Sequence, residues 1–261
     1  MGKIVDVSHH QGNIDWAKAS KEMDLAIIRV QYGSKTIDRK YKDNVAGAKK
    51  YGVPFGHYAY GCYVSVSDAV IEAKDFLARI DKDAKFLVLD VEDDTLKACG
   101  PKNLAKASQA FIDTCKAAGY KVGVYISHHL YNSHGLNGLK ADFLWIPRYA
   151  RNDNGQIHAS KPSMPCCIWQ YTQCGKIAGV AGNVDLNVLT GDKKLDYFTG
   201  KKAPKPASKP KPAPAKVEPK KPKHNIRVVS EWYIEGSAGL AKVEKFFKDN
   251  GWNYRFEKKG E

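Results

Sequence analysis

The segment FLVLDVED sets two acids, Asp90 and Glu92, at the end of an apolar run. If that run is a strand, positions i and i+2 share a face, with Cα atoms about 7 Å apart. Both carboxyls would then enter one pocket. Two carboxyls so placed resist ionising together, and a pair with separated proton affinities supplies an acid and a charged partner. Such a pair is what cleavage of a glycosidic bond requires. The plainer reading is a strand that runs out into an acidic loop, since Asp93 and Asp94 follow. Two further acids bear on the choice. Asp6 ends the run KIVDVS, and Asp185 lies in GNVDLN, after the run CCIWQYT. Singly, each reads most simply as a loop aspartate or a helix cap. Together, four acids at the ends of apolar runs are harder to assign to chance.

Aromatic residues form the second group. Tyr58, Tyr60, Tyr125, Trp145, Tyr149, Trp169 and Tyr171 fall in or just after apolar runs. Core packing explains any one of them. Collectively, aromatics beside acids suit a sugar, whose ring has apolar faces and a polar edge. Arg148 either orients one of the carboxylates or is an ordinary surface arginine.

These residues need elements to position them. Seven strands are predicted: KIVDVS, DLAIIRVQ, VPFGHYAYG, KFLVLDVE, KVGVYIS, DFLWIPRYA and CCIWQYT. Several are apolar on both faces, as in a sheet covered by helices. Helices are predicted over 40–51, ending at Gly52, over 68–80, and over 103–118 between a capping Asn103 and Gly119. Alternation of this kind over about 200 residues argues for an α/β barrel. No GxGxxG or GxxxxGKS motif marks a nucleotide-binding open sheet. In a barrel, chemistry belongs at the C-terminal ends of the strands, where the acids stand.

The composition breaks at Gly200. The stretch KKAPKPASKPKPAPAKVEPKKPK reads as an extended Pro/Lys linker. Of the formal charge of +14, residues 200–224 hold +8, residues 225–261 hold +1 and residues 1–199 hold +5. The basicity therefore belongs mostly to the linker. Its lysines alternate with proline rather than with aromatics, which argues against a nucleic-acid partner. Residues 225–261 read as strand, helix, strand, a small α+β module whose helix shows one apolar face (Leu240, Val243, Phe246, Phe247). This module is expected to bind the cell wall or to self-associate. No stretch approaches a membrane span, and MGKIVDVSHH lacks an apolar leader. The six cysteines have neither CxxC spacing nor a matching His set, so reduced thiols and no metal are expected.

In order along the chain, DVSHHQGNIDW, AIIRVQYG, VPFGHYAYG, FLVLDVED, VGVYIS, DFLWIPRYA and IWQYTQCGKIAGVAGNVDLN resemble glycoside hydrolase family 25, the Chalaropsis-type lysozymes common among phage endolysins and bacterial autolysins. The resemblance spans about residues 3–195. It implies an irregular, flattened β/α (TIM-like) barrel over 1–199 and N-acetylmuramidase activity on bacterial peptidoglycan without a cofactor. It makes Glu92 the proton donor and Asp90 the second catalytic carboxylate. Asp6 and Asp185 match the family's other acidic site residues, and Tyr58, Tyr60, Tyr125, Trp145 and Gln170 match blocks that line its groove. An endolysin would wait in the host cytoplasm for release through a holin lesion. A non-catalytic wall-binding barrel would have lost one of the four acids, and none is lost. A chitinase-like specificity stays open, since both polymers carry 2-acetamido sugars.

Overall fold

The computed structural model describes residues 2–200 and 238–249. The strands are β1 (Lys3–Val7), β2 (Met23–Tyr32), β3 (Thr36–Ile37), β4 (Phe55–Tyr60), β5 (Leu87–Val91), β6 (Val122–Ile126), β7 (Phe143–Pro147), β8 (Ile168–Gly175) and β9 (Val184–Leu189). The helices are α1 (Trp16–Ala19), α2 (Tyr41–Lys50), α3 (Val66–Arg79), α4 (Asp93–Cys99), α5 (Leu104–Ala117), α6 (Leu195–Thr199) and α7 (Ala238–Asp249). All seven predicted strands form, and the three predicted helices correspond to α2, α3 and α5.

The sheet runs β1-β9-β8-β7-β6-β5-β4-β2-β3 and closes through β1–β2 pairing, leaving β3 as an outer edge strand. The result is a closed, mixed barrel. Pairs from β2–β4 through β7–β8, and β1–β2, are parallel, whereas β9 is antiparallel to both neighbours. Here the expectation needs a correction. GNVDLN was expected as a loop after the last strand, but Val184–Leu189 is itself a strand, and it completes the barrel. The barrel is irregular because helices of full length follow only the early strands. Between β6 and β7 there is just a short 3-10 turn, Leu136–Gly138.

Period-2 alternation divides the strand residues into two cores. Inward residues Ile4, Leu25, Ile27, Phe86, Val88, Phe143 and Ile168 fill the barrel together with Phe198 of α6. Outward residues such as Val5, Ile28, Leu87, Leu89 and Val124 meet the helices. Inside the barrel, glycines admit rings from adjacent strands. A Cβ on Gly56 would stand 2.4 Å from Phe86, and one on Gly123 would stand 2.2 Å from Phe143. Small and large residues alternate in this way to fill a tapering interior.

The covering helices bury one stripe each. Residues Ala69, Glu72, Ala73 and Phe76 of α3 face inward, as do Leu104, Ala107, Ser108, Phe111, Ile112 and Cys115 of α5. Asn103 stands at the N-terminus of α5 as expected, but its side chain makes no capping bond there. Gly119, at φ +89°, ends that helix in a conformation suited to glycine. All six cysteines carry free thiols, with Cys99, Cys115 and Cys166 buried.

The chain divides into two units, the barrel and a second one that carries α7. Helix α7 falls within the helical stretch expected there and has a Lys245–Asp249 ion pair one turn apart. The proposed linker and the two flanking strands lie outside the described residues. No helix of the described residues is long and apolar enough to cross a membrane.

Candidate active site

The inward-facing positions change character as each strand approaches one mouth of the barrel. On β1 the order is Ile4, Asp6; on β2 it is Leu25, Ile27, Arg29. Along β5 and the residue before it the order is Phe86, Val88, Asp90, and on β8 it is Ile168, Gln170. Strand β9 runs the other way, and its inward residues ascend from Leu189 through Asn187 to Asp185. Apolar residues thus plug the barrel while polar ones gather at the C-terminal mouth of the parallel strands, where barrel sites form.

Asp90 and Glu92 share one side, as their spacing predicts. Strand β5 ends at Val91, but Glu92 keeps extended backbone (φ −131°, ψ −170°) before α4 begins, so the alternation continues for one more residue. Thr95 secures that junction: its hydroxyl accepts the Glu92 N–H at 3.1 Å and donates to the Gly61 carbonyl at 2.7 Å. The two carboxyls are close enough to shift each other's proton affinity. Asp90 is buried, and its Oδ1 has no partner among the described residues. Burial, then the neighbouring Glu92 and Asp6, push its pKa well above the usual carboxylate range, against the opposing charge of Arg29. Glu92 is more open, with Ser127 Oγ at 3.5 Å. Its pKa is raised as well, chiefly by burial, although Asp90 and Ser127 pull the other way.

Asp6 and Asp185 form a second pair. They are register partners across β1 and β9. The Asp6 carboxyl accepts both Gln170 Nε2, at 3.1 and 3.0 Å, and Asn187 Nδ2, at 2.7 Å. Burial raises its pKa, and these amide donors partly offset the rise. Burial and the Asp6 charge push Asp185 up to about 9. Four carboxyls in one basin cannot all be ionised at neutral pH, and their protons are shared across coupled sites.

Five of the seven expected aromatic residues occupy two levels, whereas Trp169 and Tyr171 point the other way and pack in the outer core. Trp145, only 2% exposed, lies on the floor with Tyr58 and Tyr125 edge-on to it at 6.4 and 4.9 Å between ring centroids. Its Nε1 donates to Asn187 Oδ1 at 2.8 Å. Gln170 links floor to rim: its Oε1 accepts Tyr125 and Tyr149 hydroxyls at 2.9 and 2.6 Å. Tyr60 stands at the rim, stacked on Tyr32 at 4.6 Å. Arg148 follows β7 and points Nη1 at His128 Nε2, 2.9 Å away; it pairs with no carboxylate among the described residues.

Two residues of this network escaped sequence reasoning. Arg29 is the register partner of the inward Tyr58 and lies near Asp90. A usable signal existed, because Leu25, Ile27 and Arg29 share one parity in an otherwise apolar strand. Asn187 lies two residues from Asp185 and so shares its face, but that signal depends on recognising β9 as a strand.

A closed barrel with a carboxyl-lined mouth belongs to the architecture of barrel glycosidases. Comparison with known proteins agrees. The family model described as glycosyl hydrolases family 25 matches residues 5–180, and the chain belongs to that family of glycosidases. It is similar to the catalytic domain of the endolysin ply40 from bacteriophage P40 of Listeria monocytogenes, with 31% identity, 77% of this chain and 98% of that chain covered, and a TM-score of 0.70. A family 25 glycosyl hydrolase of Streptococcus pneumoniae, GHIP, described as a virulence factor in host cell invasion, is 27% identical over 77% of this chain and 94% of that one, with a TM-score of 0.69. Lysozyme M1 of Streptomyces globisporus is 26% identical over 72% of this chain and 67% of its own length.

Proposed function

We propose that this protein is a lysozyme that hydrolyses the β-1,4 bond between N-acetylmuramic acid and N-acetylglucosamine in bacterial peptidoglycan, and so lyses bacterial cells. The observation that carries the reading is the meeting of Asp90 and Glu92, both with raised pKa, opposite Asp6 and Asp185 at one barrel mouth. The likeness to an endolysin domain and to Lysozyme M1 supports the choice of polymer.

In this mechanism Glu92, the more exposed member of its pair, gives its proton to the leaving glycosidic oxygen. Asp90 faces the positive charge growing at the anomeric carbon; burial favours its protonated form in the resting pair, and that growing charge together with Arg29 favours its anion as the bond breaks. The bond breaks with retention. Either the substrate's own 2-acetamido oxygen attacks and Asp90 stabilises the oxazolinium-like ion, or a carboxylate attacks directly. Asp6, held by Gln170 and Asn187, supplies a fixed negative field around the reacting sugar, and Asp185, which keeps its proton at neutral pH, lets Asp6 carry that charge. Tyr60 and Arg148 border the groove at the rim, while Tyr58, Tyr125, Trp145 and Gln170 shape its floor.

Digestion of purified peptidoglycan, and separately of chitin, tests the reading. New reducing ends on N-acetylmuramic acid are expected. Absence of such ends, or cleavage confined to chitin, overturns it. Proton NMR of the first product anomer distinguishes retention from inversion.

A further inference from the structure

Beside the catalytic basin lies a second cavity, of about 290 Å³, that the proposed chemistry leaves unused. The turn after β1 (His9, His10), the end of β2 (Arg29, Tyr32) and the β3 segment (Ile37, Arg39) wall it. Two of these residues connect it to the basin. Arg29 lies near Asp90 within the barrel, and Tyr32 stacks on the rim residue Tyr60. A ligand seated over the carboxyls can therefore extend a branch into the cavity.

The charge of the cavity depends on what is already neutralised. Arg29 Nε donates to Asp38 at 2.8 Å, and both side chains are buried. Asp38 also accepts the backbone N–H groups of His9 and Lys40, at 3.0 and 2.9 Å. Those bonds and Arg29 overcome the effect of burial and hold its carboxyl below the usual range. Partial burial, then the charges of His9 and Arg29, lower the pKa of His10. Arg39 is different: it is exposed and makes no hydrogen bond or ion pair among the described residues. Next to it, Tyr32 and Ile37 present apolar surface, 38% and 50% exposed.

A cation beside an apolar wall suits a carboxylate carried among small apolar groups. The adjoining basin, crowded with carboxyls, repels an anion, so an anionic branch of the substrate is favoured only on this side. We infer that the cleft receives the acidic stem peptide on the lactyl group of a muramic acid unit bound over the catalytic acids, with the peptide carboxylates meeting Arg39. This inference rests on the peptidoglycan reading above.

The test compares kcat/KM of the full chain on glycan strands that keep their stem peptides with that on strands stripped by an amidase. The native protein is expected to favour peptide-bearing strands about tenfold, the scale of one charge-assisted contact. Arg39→Glu should bring that ratio to about one, and Arg39→Lys should keep most of it. A ratio of one in the native protein, or a tenfold ratio that survives Arg39→Glu, overturns the inference and leaves the lysozyme reading intact. Failure to cleave either polymer overturns the lysozyme reading. A binding measurement separates the two further. In the Glu92→Gln background, muramyl dipeptide should bind more weakly after Arg39→Glu, by a larger factor than an N-acetylglucosamine trimer does. Equal weakening of both probes also counts against the inference.

Discussion

Gln170 gives its amide N–H groups to both carboxyl oxygens of Asp6, at 3.1 and 3.0 Å, while its carbonyl accepts two tyrosine hydroxyls. This one amide therefore holds an acid at the barrel mouth and two rings of the groove in fixed relation. Gln170→Leu removes donors that favour the Asp6 anion and leaves the buried Tyr125 hydroxyl without its acceptor. The Asp6 pKa should rise further, moving the acid limb of the kcat/KM profile to higher pH. Thermal denaturation should show a loss of about 1–3 kcal/mol. An unmoved acid limb would show that Gln170 has only a packing role.

Glu92→Gln should fold like the native protein and lose at least about a hundredfold in kcat, because the amide has no proton to give. In the native enzyme the acid must be protonated to act. Since its pKa is raised, activity should persist above the ordinary carboxylate range and fall as pH rises through the shifted value. Turnover of cell walls by the variant at the native rate would remove Glu92 from the chemistry.

Asp185 has a folded-state pKa near 9 against an ordinary value of 3.8. The folded state therefore holds a proton that the unfolded chain releases between those values, and stability from this group declines as pH rises across that window. Asp185→Asn removes the titration. Its melting temperature should fall less than that of the native protein between pH 5 and pH 8, as followed by circular dichroism. Parallel pH curves for the two proteins would contradict the burial argument.

Gly123 lies against the ring of Phe143, where an added Cβ would stand 2.2 Å away. Gly123→Ala should overpack the barrel and cost about 1–3 kcal/mol in denaturant unfolding. Pairing it with Phe143→Leu should recover part of the loss, whereas simple additivity of the two changes would deny the contact.

A chain ending at Gly200 keeps every element of the barrel and should hydrolyse soluble wall fragments at the full-length rate. On intact cells it should be slower if the C-terminal unit concentrates the enzyme on the wall. Equal rates on whole cells would assign that unit another role.

Much of the barrel was legible in the chain because its strands are continuous apolar runs, two of which carry acids near their C-terminal ends, a local pattern. The i, i+2 spacing of Asp90 and Glu92 is likewise local, and an extended backbone puts both on one side wherever the strand lies. Gly52 and Gly119 mark helix ends for a similarly local reason, both having positive φ. Strand β9 was hidden because GNVDLN is short and rich in turn residues, and its extended form comes from pairing with β1 and β8. Barrel closure decided the rest. It brings Asp6 and Asp185 together from opposite ends of the domain, sets Asn187 and Gln170 on Asp6, and places Arg29 beside Asp90. Proton affinities followed from the same step, since they depend on desolvation and on neighbouring charges that no stretch of sequence contains by itself.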